Sequence, residues 1–463
     1  MKLTGLLFAA ALLGTCTQPA AEENYTRHVD PKIGTGGHGH VFVGANVPFG
    51  LVQVGPTSIP QTWDWCSGYH ASDSTVIGFS HTHLSGTGIG DLFDVTVMPV
   101  TGEVTYARGT EDDPTSGLWS YADRTQEIAR PGYYSVPLTR YGIRAELTAT
   151  ARVGLHRYTF PASDAAAVVF DLENGGCWDK ATETHLAKEG DRTVTGWRHS
   201  TGWAKDQRVY FAAEFSKPFE KFETIGDNYA RASFRTTDGE QVSLKVALSP
   251  VSVEGARENL AAELPGWDFE ETAKAADKAW NDELSKVKIE TEDETSKRIF
   301  YTALYHTMVA PSLFCDVNGD YYGSDHAIHR NADFTNYTTF SLWDTYRAAM
   351  PLMTVLHPEK MADIVQTMLT ISDEQGRLPV WHLWGNETDC MVGNPGIPVV
   401  ADAIVKGIGG FDREKAFEAI RKTAMNPDRG NGLRMEYGYI PCEMFNEAVA
   451  YDMEYALADG AAA

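Results

Sequence analysis

The stretch "FTNYTTFSLWDTYRAAMPLM" (residues 334–353) places a carboxylate, Asp344, and a guanidinium, Arg347, among aromatic residues. Phe340, Trp343 and Tyr346 fall three apart, and Leu342, Tyr346 and Met350 four apart, which predicts a helix. On that helix Asp344 and Arg347 share one face and can pair. Two readings fit the pair: a structural ion bridge beside a core helix, or the wall of a ligand pocket. A buried carboxylate and guanidinium are costly unless they meet each other or ligand hydroxyls. Pro351 is expected to interrupt the helix within two turns of Asp344.

A second cluster, "LPVWHLWGNETDCMVGNPG" (378–396), crowds Trp381, His382, Trp384, Asn386, Glu387, Asp389 and Cys390 between two helical patterns. Aromatic faces, a carboxylate and amides suit a sugar subsite. A polar loop carrying two core tryptophans would show the same composition. From the residues alone, Asp344 and Glu387 are candidate carboxylates of a glycosidase, since glycoside hydrolysis uses one carboxylic acid and one carboxylate.

A third cluster, "TWDWCSGYHASDSTVIGFSHTHLSGTGIGD" (62–91), brings Trp63 and Trp65 among glycines and histidines. His81 and His83 lie two apart and would share one face of a strand. They could hold a metal, or could be loop histidines bonded to backbone. The glycines lack the GK[ST] of a phosphate loop, so a nucleotide site is excluded. "DVNGDYYGSD" (316–325) resembles part of a calcium loop but lacks its later Glu, which favours a plain turn.

Two kinds of element must position these clusters. From about 25 to 260, short runs rich in Val, Thr, Tyr and Phe alternate with turns, as in "GYYSVPLTRYGIRAELTATARVGLHRYTF" (132–160). That pattern predicts an antiparallel β-sandwich. "DFEETAKAADKAWNDELSKVKIE" (268–290) reads as a linker helix, and helical spacing recurs after it. The expected division is residues 1–21 as a signal peptide, 22–264 as the sandwich and 265–290 as the linker. Residues 291–463 then form part of a barrel of helical hairpins.

The chain has 463 residues and a net charge of -24. So acidic a surface repels phosphate backbones and argues against nucleic acid. The 11 Trp and 20 Tyr hint at carbohydrate. One Lys precedes the apolar run Leu3–Leu13, too short to span a membrane, and Cys16 follows "LLGT". This reads as a bacterial lipoprotein signal, with membrane contact only through a lipid on Cys16; cleavage after "PAA" is the alternative. Export to the periplasm or cell surface follows. Cysteines occur at 16, 66, 177, 315, 390 and 442 without a CxxC, so zinc and thioredoxin readings find no support.

With "VDPKIGTGGHGHVFVGANVPFGLVQVGP", "SGYH", "GFSHTHLSGTG", "LWDTYRAAMP" and "WGNETDCMVG" in this order, the chain resembles glycoside hydrolase family 92 from about Val29 to Tyr455. The resemblance implies an N-terminal β-sandwich, linker helices and an (α/α)6 barrel, here incomplete. It implies a secreted, calcium-dependent, inverting exo-α-mannosidase acting mostly on α-1,2-linked mannose of N-glycans or mannan. It also revises the carboxylates. Asp344 becomes a ligand of the -1 mannose with Trp343 and Arg347 beside it. The "GNET" segment becomes the subsite wall, with Glu387 as a ligand of sugar hydroxyls and Trp384 beside it, and Trp63 or Trp65 faces the +1 sugar. The family's acid Glu and base Asp, and part of its calcium site, are expected beyond residue 463. The alternative is a non-catalytic surface glycan-binding protein.

Overall fold

The computed structural model describes residues 23–113 and 115–463, so the signal and Cys16 expectations lie outside the described residues. Residues up to Ser249 build a sandwich of two antiparallel sheets. One has six strands, in the order 55–57, 78–80, 96–101, 163–171, 229–236 and 221–225. The other has eight, in the order 180–189, 193–201, 207–215, 240–249, 153–160, 143–149, 133–138 and 128–130. The strand Ser163–Asp171 sits inside the first sheet, with Val169 opposite both Met98 and Arg231. Its "AAVVF" run is buried throughout, as a strand enclosed on both faces requires. Phe170, Phe211, Phe215 and Phe234 fill the space between the sheets.

Ten helices follow: α1 (Val253–Glu263), α2 (Phe269–Leu284), α3 (Glu294–His306), α4 (Leu342–Thr345), α5 (Ala349–Leu356), α6 (Pro358–Gln375), α7 (Gly396–Val405), α8 (Arg413–Ala424), α9 (Asn431–Tyr437) and α10 (Ala448–Ala462). The sequence pattern suggests β-structure to about residue 260, but Val253–Glu263 is helical. Ser252 caps α1 by accepting from the Gly255 N–H at 3.0 Å, and the helix lies against the eight-stranded sheet. On α2, Trp280 is fully buried and donates to the Asn46 carbonyl at 2.7 Å, while Asp277 accepts from Thr26. Those bonds join the sandwich to the helices.

Helices α5 to α8 pack in sequence, and α10 returns onto α7 and α8. Met361, Ile364, Met368, Ile397 and Ile420 form their shared core. The described helices make an open array of hairpins rather than a closed ring, as the sequence led one to expect. Val355, Val405, Val449 and Met453 stay largely exposed on its outer faces. Among the described residues, no helix is long and apolar enough to cross a membrane.

The opening stretch is not one helix. Phe340 and Ser341 form a strand, α4 lasts one turn, and Ala348 lies outside helical geometry before α5 begins. Pro351 sits in the first turn of α5, where the missing N–H costs nothing. The break therefore falls before the proline, not at it.

Candidate active-site face

The strand at Phe340–Ser341 pairs with Trp381–Leu383, which turns back at Trp384–Gly385 into Asn386–Glu387. Both turn residues have positive φ, 48° and 79°, the pattern of a two-residue hairpin whose twist matches its strands. Gly385 is required twice over: a Cβ there would lie 2.6 Å from the Tyr322 ring. This small sheet holds the "WDTYR" and "WGNET" segments side by side. The Cys390 thiol lies within the field of both Asp344 and Glu387; burial first, then Asp344, pushes it up to about 11.

Asp344 is exposed, and among the described residues its one hydrogen bond is accepted from Ser341 Oγ. The expected Asp344–Arg347 pair does not form. Arg347 instead bonds Glu454 on α10 at 2.6 Å, and its guanidinium lies over the Trp343 and Tyr346 rings at 4.8 and 4.5 Å. The physical reason is that α4 ends at Thr345, so positions 344 and 347 do not share a continuous helical face. The Glu454 carboxylate also raises the Arg347 pKa and accepts from Tyr346 Oη at 2.9 Å. Trp343 Nε1 is a buried donor with no acceptor among the described residues. A ligand oxygen would satisfy it.

Glu387 is built differently. Its Oε1 accepts from the Trp381 and Asp389 N–H groups at 2.8 and 3.0 Å, and its Oε2 from the Val380 N–H and Gln375 Nε2 at 2.8 and 3.3 Å. A carboxylate offers about four lone-pair sites, so this one is saturated. Trp384 is 2% exposed and stands edge-on to Phe314 in the core. Asn386 bonds the Asp206 backbone in both directions, at 2.9 and 3.0 Å, which ties the hairpin to the sandwich.

Trp63 and Trp65, the other two expected sugar-facing residues, lie in the sandwich. Trp63 is 48% exposed on a 3-10 turn (Trp63–Trp65). Its Nε1 donates to the Gly88 carbonyl at 2.8 Å, and its ring meets His40 edge-on at 4.2 Å. Trp65 stacks on His70 and donates to Asp73, while the more exposed Trp63 also meets the His38 ring at 5.4 Å. Glu454 and the His38–Asp64–His40 group around Trp63 were missed by sequence reasoning. The two histidines of "GGHGH" next to glycines were the available signal; Glu454, inside an apolar helix, gave little.

His81 and His83 are buried and bonded to backbone. His81 Nδ1 donates to the Val95 carbonyl at 2.6 Å and His83 Nδ1 to the Gln53 carbonyl at 2.8 Å. Since a carbonyl only accepts, His81 Nε2 is the acceptor for His156 Nε2–H at 2.9 Å, and His156 Nδ1 in turn accepts from Tyr158 Oη. Burial lowers His81 to about 3 and His83 to about 4. The 316–325 segment is a turn: Asp316 is spent on Ser249 and Asn259, and Asp320 on Asn331 and Arg330.

One group of side chains among the described residues could hold a cation: Asp325, His329 and Glu374. Calcium takes roughly six to eight oxygen ligands, and a set containing an imidazole nitrogen does not suit it. His329 Nε2 already faces Asp325 at 3.1 Å and Glu374 at 3.3 Å. These residues do not fit the expected calcium.

The chain matches the glycosyl hydrolase family 92 N-terminal domain over residues 28–249 and the family's catalytic domain over residues 255–463. It is 39% identical to a family GH92 α-mannosidase of Bacteroides thetaiotaomicron, solved in complex with mannoimidazole, at a TM-score of 0.91 over 95% of this chain and 61% of that one. A GH92 inverting mannosidase of the same bacterium is 28% identical, with a TM-score of 0.84 over 94% of this chain and 61% of that one. An uncharacterized secreted glycosidase of Arthroderma benhamiae is 26% identical over 92% of this chain and 56% of its own length. The chain thus spans about three fifths of the length of these relatives. It belongs to glycosyl hydrolase family 92.

Proposed function

We propose that this chain acts on mannose-containing glycans as part of an exported, exo-acting, inverting α-mannosidase, with α-1,2-linked mannose of N-glycans or mannan as its substrate class. The observation that carries the reading is the 39% identity to an α-mannosidase that holds mannoimidazole, together with the exposed Asp344 carboxylate and the Arg347 guanidinium lying over Trp343.

On this reading Asp344 accepts from mannose hydroxyls. Arg347, kept charged and fixed by Glu454, donates to the same ring, and Trp343 Nε1 takes a further ligand oxygen. Charged donors and acceptors give the strongest of such bonds. Trp63 presents its open face to the +1 sugar. Trp384 and Glu387 shape the wall from within, the indole as core and the carboxylate as the clamp that holds the hairpin. Calcium is a proposed requirement of the activity, and no donor set for it is assigned to this chain. Nor is acid or base catalysis assigned to any residue here.

Titration calorimetry with mannoimidazole and glucoimidazole, with and without calcium, tests the reading. Selective binding of the mannose-like compound is expected. Equal affinity for both, or none for either, overturns it. Selective binding with no hydrolysis of α-1,2-mannobiose would favour the non-catalytic glycan-binding alternative.

A further inference from the structure

Three donor side chains converge where the hairpin of strands Tyr321–Tyr322 and Ile328–His329 meets the C-terminal end of α6. His329 Nε2 lies 3.1 and 3.2 Å from the two Asp325 oxygens and 3.3 Å from a Glu374 oxygen. One donor atom from each residue lies within 4.8 Å of the other two. A single ring N–H serves one carboxylate well, not two. Among the described residues, no lysine or arginine pairs with either carboxylate. With a neutral imidazole the group carries two negative charges, which a divalent cation balances.

Each donor is also held from behind, as metal ligands are. Glu374 Oε2 accepts from the Ser324 N–H at 2.7 Å, and its Oε1 from Tyr321 Oη at 3.1 Å. Asp325 Oδ1 accepts from the Ala327 N–H at 3.0 Å. The His329 ring stacks on Tyr321, with centroids 4.8 Å apart and planes 8° from parallel. Gly323 keeps the space in front of the donors clear: a Cβ there would lie 2.7 Å from both Asp325 Oδ1 and His329 Nε2. Ser324 Oγ, next in the chain, is buried with no hydrogen-bond partner among the described residues. A water on a bound ion would satisfy that hydroxyl.

We propose that Asp325, His329 and Glu374 bind a zinc ion, with water in the fourth position, and that the ion pins the 321–329 hairpin to α6. Zinc accepts imidazole nitrogen and carboxylate oxygen at about 2.0–2.2 Å in a tetrahedron, whose corners then stand about 3.3–3.6 Å apart. The 3.1 and 3.3 Å separations from His329 Nε2 are a few tenths of an ångström from that spacing. Calcium and magnesium prefer six or more oxygen ligands, which this set does not supply. The ion would join the 323–325 turn, the Ile328–His329 strand and α6. The same hairpin carries Tyr322, whose ring packs against Gly385, so the pinned hairpin supports the Trp384–Gly385 turn from behind. The site stands whether or not the chain binds mannosides.

The test uses the full, untagged chain stripped of metal and titrated with zinc chloride near neutral pH by calorimetry. One equivalent should bind with a Kd of about 10 µM or tighter, the Tm should rise, and equimolar calcium should not displace the zinc. Cobalt(II) in its place should give the intense visible absorption of a tetrahedral site. His329→Ala should weaken zinc by about 100-fold or more and abolish the cobalt spectrum, and Tyr321→Phe should weaken it by about tenfold. His326→Ala, on the same hairpin but bonded to Tyr322, should bind zinc as the wild type does. Circular dichroism without metal confirms that each variant is folded, and Asp325→Asn, at an exposed position, takes the place of His329→Ala if that variant is not. A zinc Kd weaker than about 100 µM, displacement by equimolar calcium, or undiminished zinc affinity in the folded ligand variant would overturn the proposal.

Discussion

Asp344 and Glu387 lie in adjoining segments of one face, yet the protein treats them in opposite ways. Asp344 is exposed and takes a single bond from Ser341, leaving most of its acceptor capacity for a ligand. Glu387 has both oxygens filled by three backbone N–H groups and an amide. The same residue class, beside the same kind of tryptophan, is thus left open to solvent in one segment and built into the architecture in the other. What separates them is where the backbone N–H groups point. The hairpin aims its own at Glu387, whereas the one-turn helix α4 aims none at the Asp344 side chain.

Removing Glu387 should produce the largest effect on the folded state. Glu387→Ala leaves the exposed Asp389 N–H and the part-buried Val380 and Trp381 N–H groups without their acceptor, and unmet buried donors cost about 1–3 kcal/mol each before water enters. A loss of roughly 2–4 kcal/mol is expected in urea unfolding, with Glu387→Gln recovering part of it. A change below about 0.5 kcal/mol would erase the contrast between the two carboxylates.

Asp344→Asn should do the reverse. Losing a charged acceptor for sugar hydroxyls should weaken mannoimidazole binding by about 1.5–3 kcal/mol, or roughly 10- to 150-fold. Stability should move by less than about 0.5 kcal/mol. Unchanged affinity would remove Asp344 from the binding face.

A pH experiment separates the two segments a second way. His382, in the middle of the hairpin sheet, is fully buried, and burial lowers its pKa to about 3. Unfolded, it titrates near 6.5. Below that pH the unfolded chain binds a proton that the folded chain refuses. Its contribution to stability is therefore complete above about pH 6.5 and falls as the pH drops toward 3. At pH 5 the loss is about 2 kcal/mol from this side chain. His382→Asn should reduce the slope of unfolding free energy against pH by about 1.4 kcal/mol per pH unit between 6 and 4. His81, lowered in the same way inside the sandwich, should keep the remaining slope steep in that variant.

Much of this was legible in sequence. The β-runs and the helical periods after residue 265 gave the two-part architecture, because burial period is written directly into residue order. The clusters around 344, 387 and 63 were also visible, since aromatic residues beside carboxylates are conspicuous. Roles within them were not. That Arg347 bonds Glu454 rather than Asp344 depends on α10 folding back across 107 positions. That Glu387 is saturated depends on a turn whose first residue, Trp384, adopts a left-handed conformation few would assign to tryptophan. The helix read through 340–350 failed because tertiary pairing of Phe340 and Ser341 overrode a good helical period. That Trp63 is the more exposed of the two indoles, and Trp65 is stacked on His70, is set by tertiary contacts that spacing does not carry.

The smallest expected effect is at Trp63, and it sharpens the comparison by adding a third kind of residue, one that is neither saturated nor charged. Its indole N–H is already spent on Gly88, so only the open ring face remains for a ligand. Stacking of that face on a sugar should contribute about 0.5–1.5 kcal/mol, by analogy with aromatic pairs. Trp63→Ala should therefore weaken an α-1,2-mannobiose analogue by about 3- to 10-fold while leaving the monosaccharide-sized mannoimidazole within twofold. Equal loss for both ligands would mean that Trp63 acts by holding the 62–66 turn in place rather than by touching a second sugar, and would place it with Glu387 instead of Asp344.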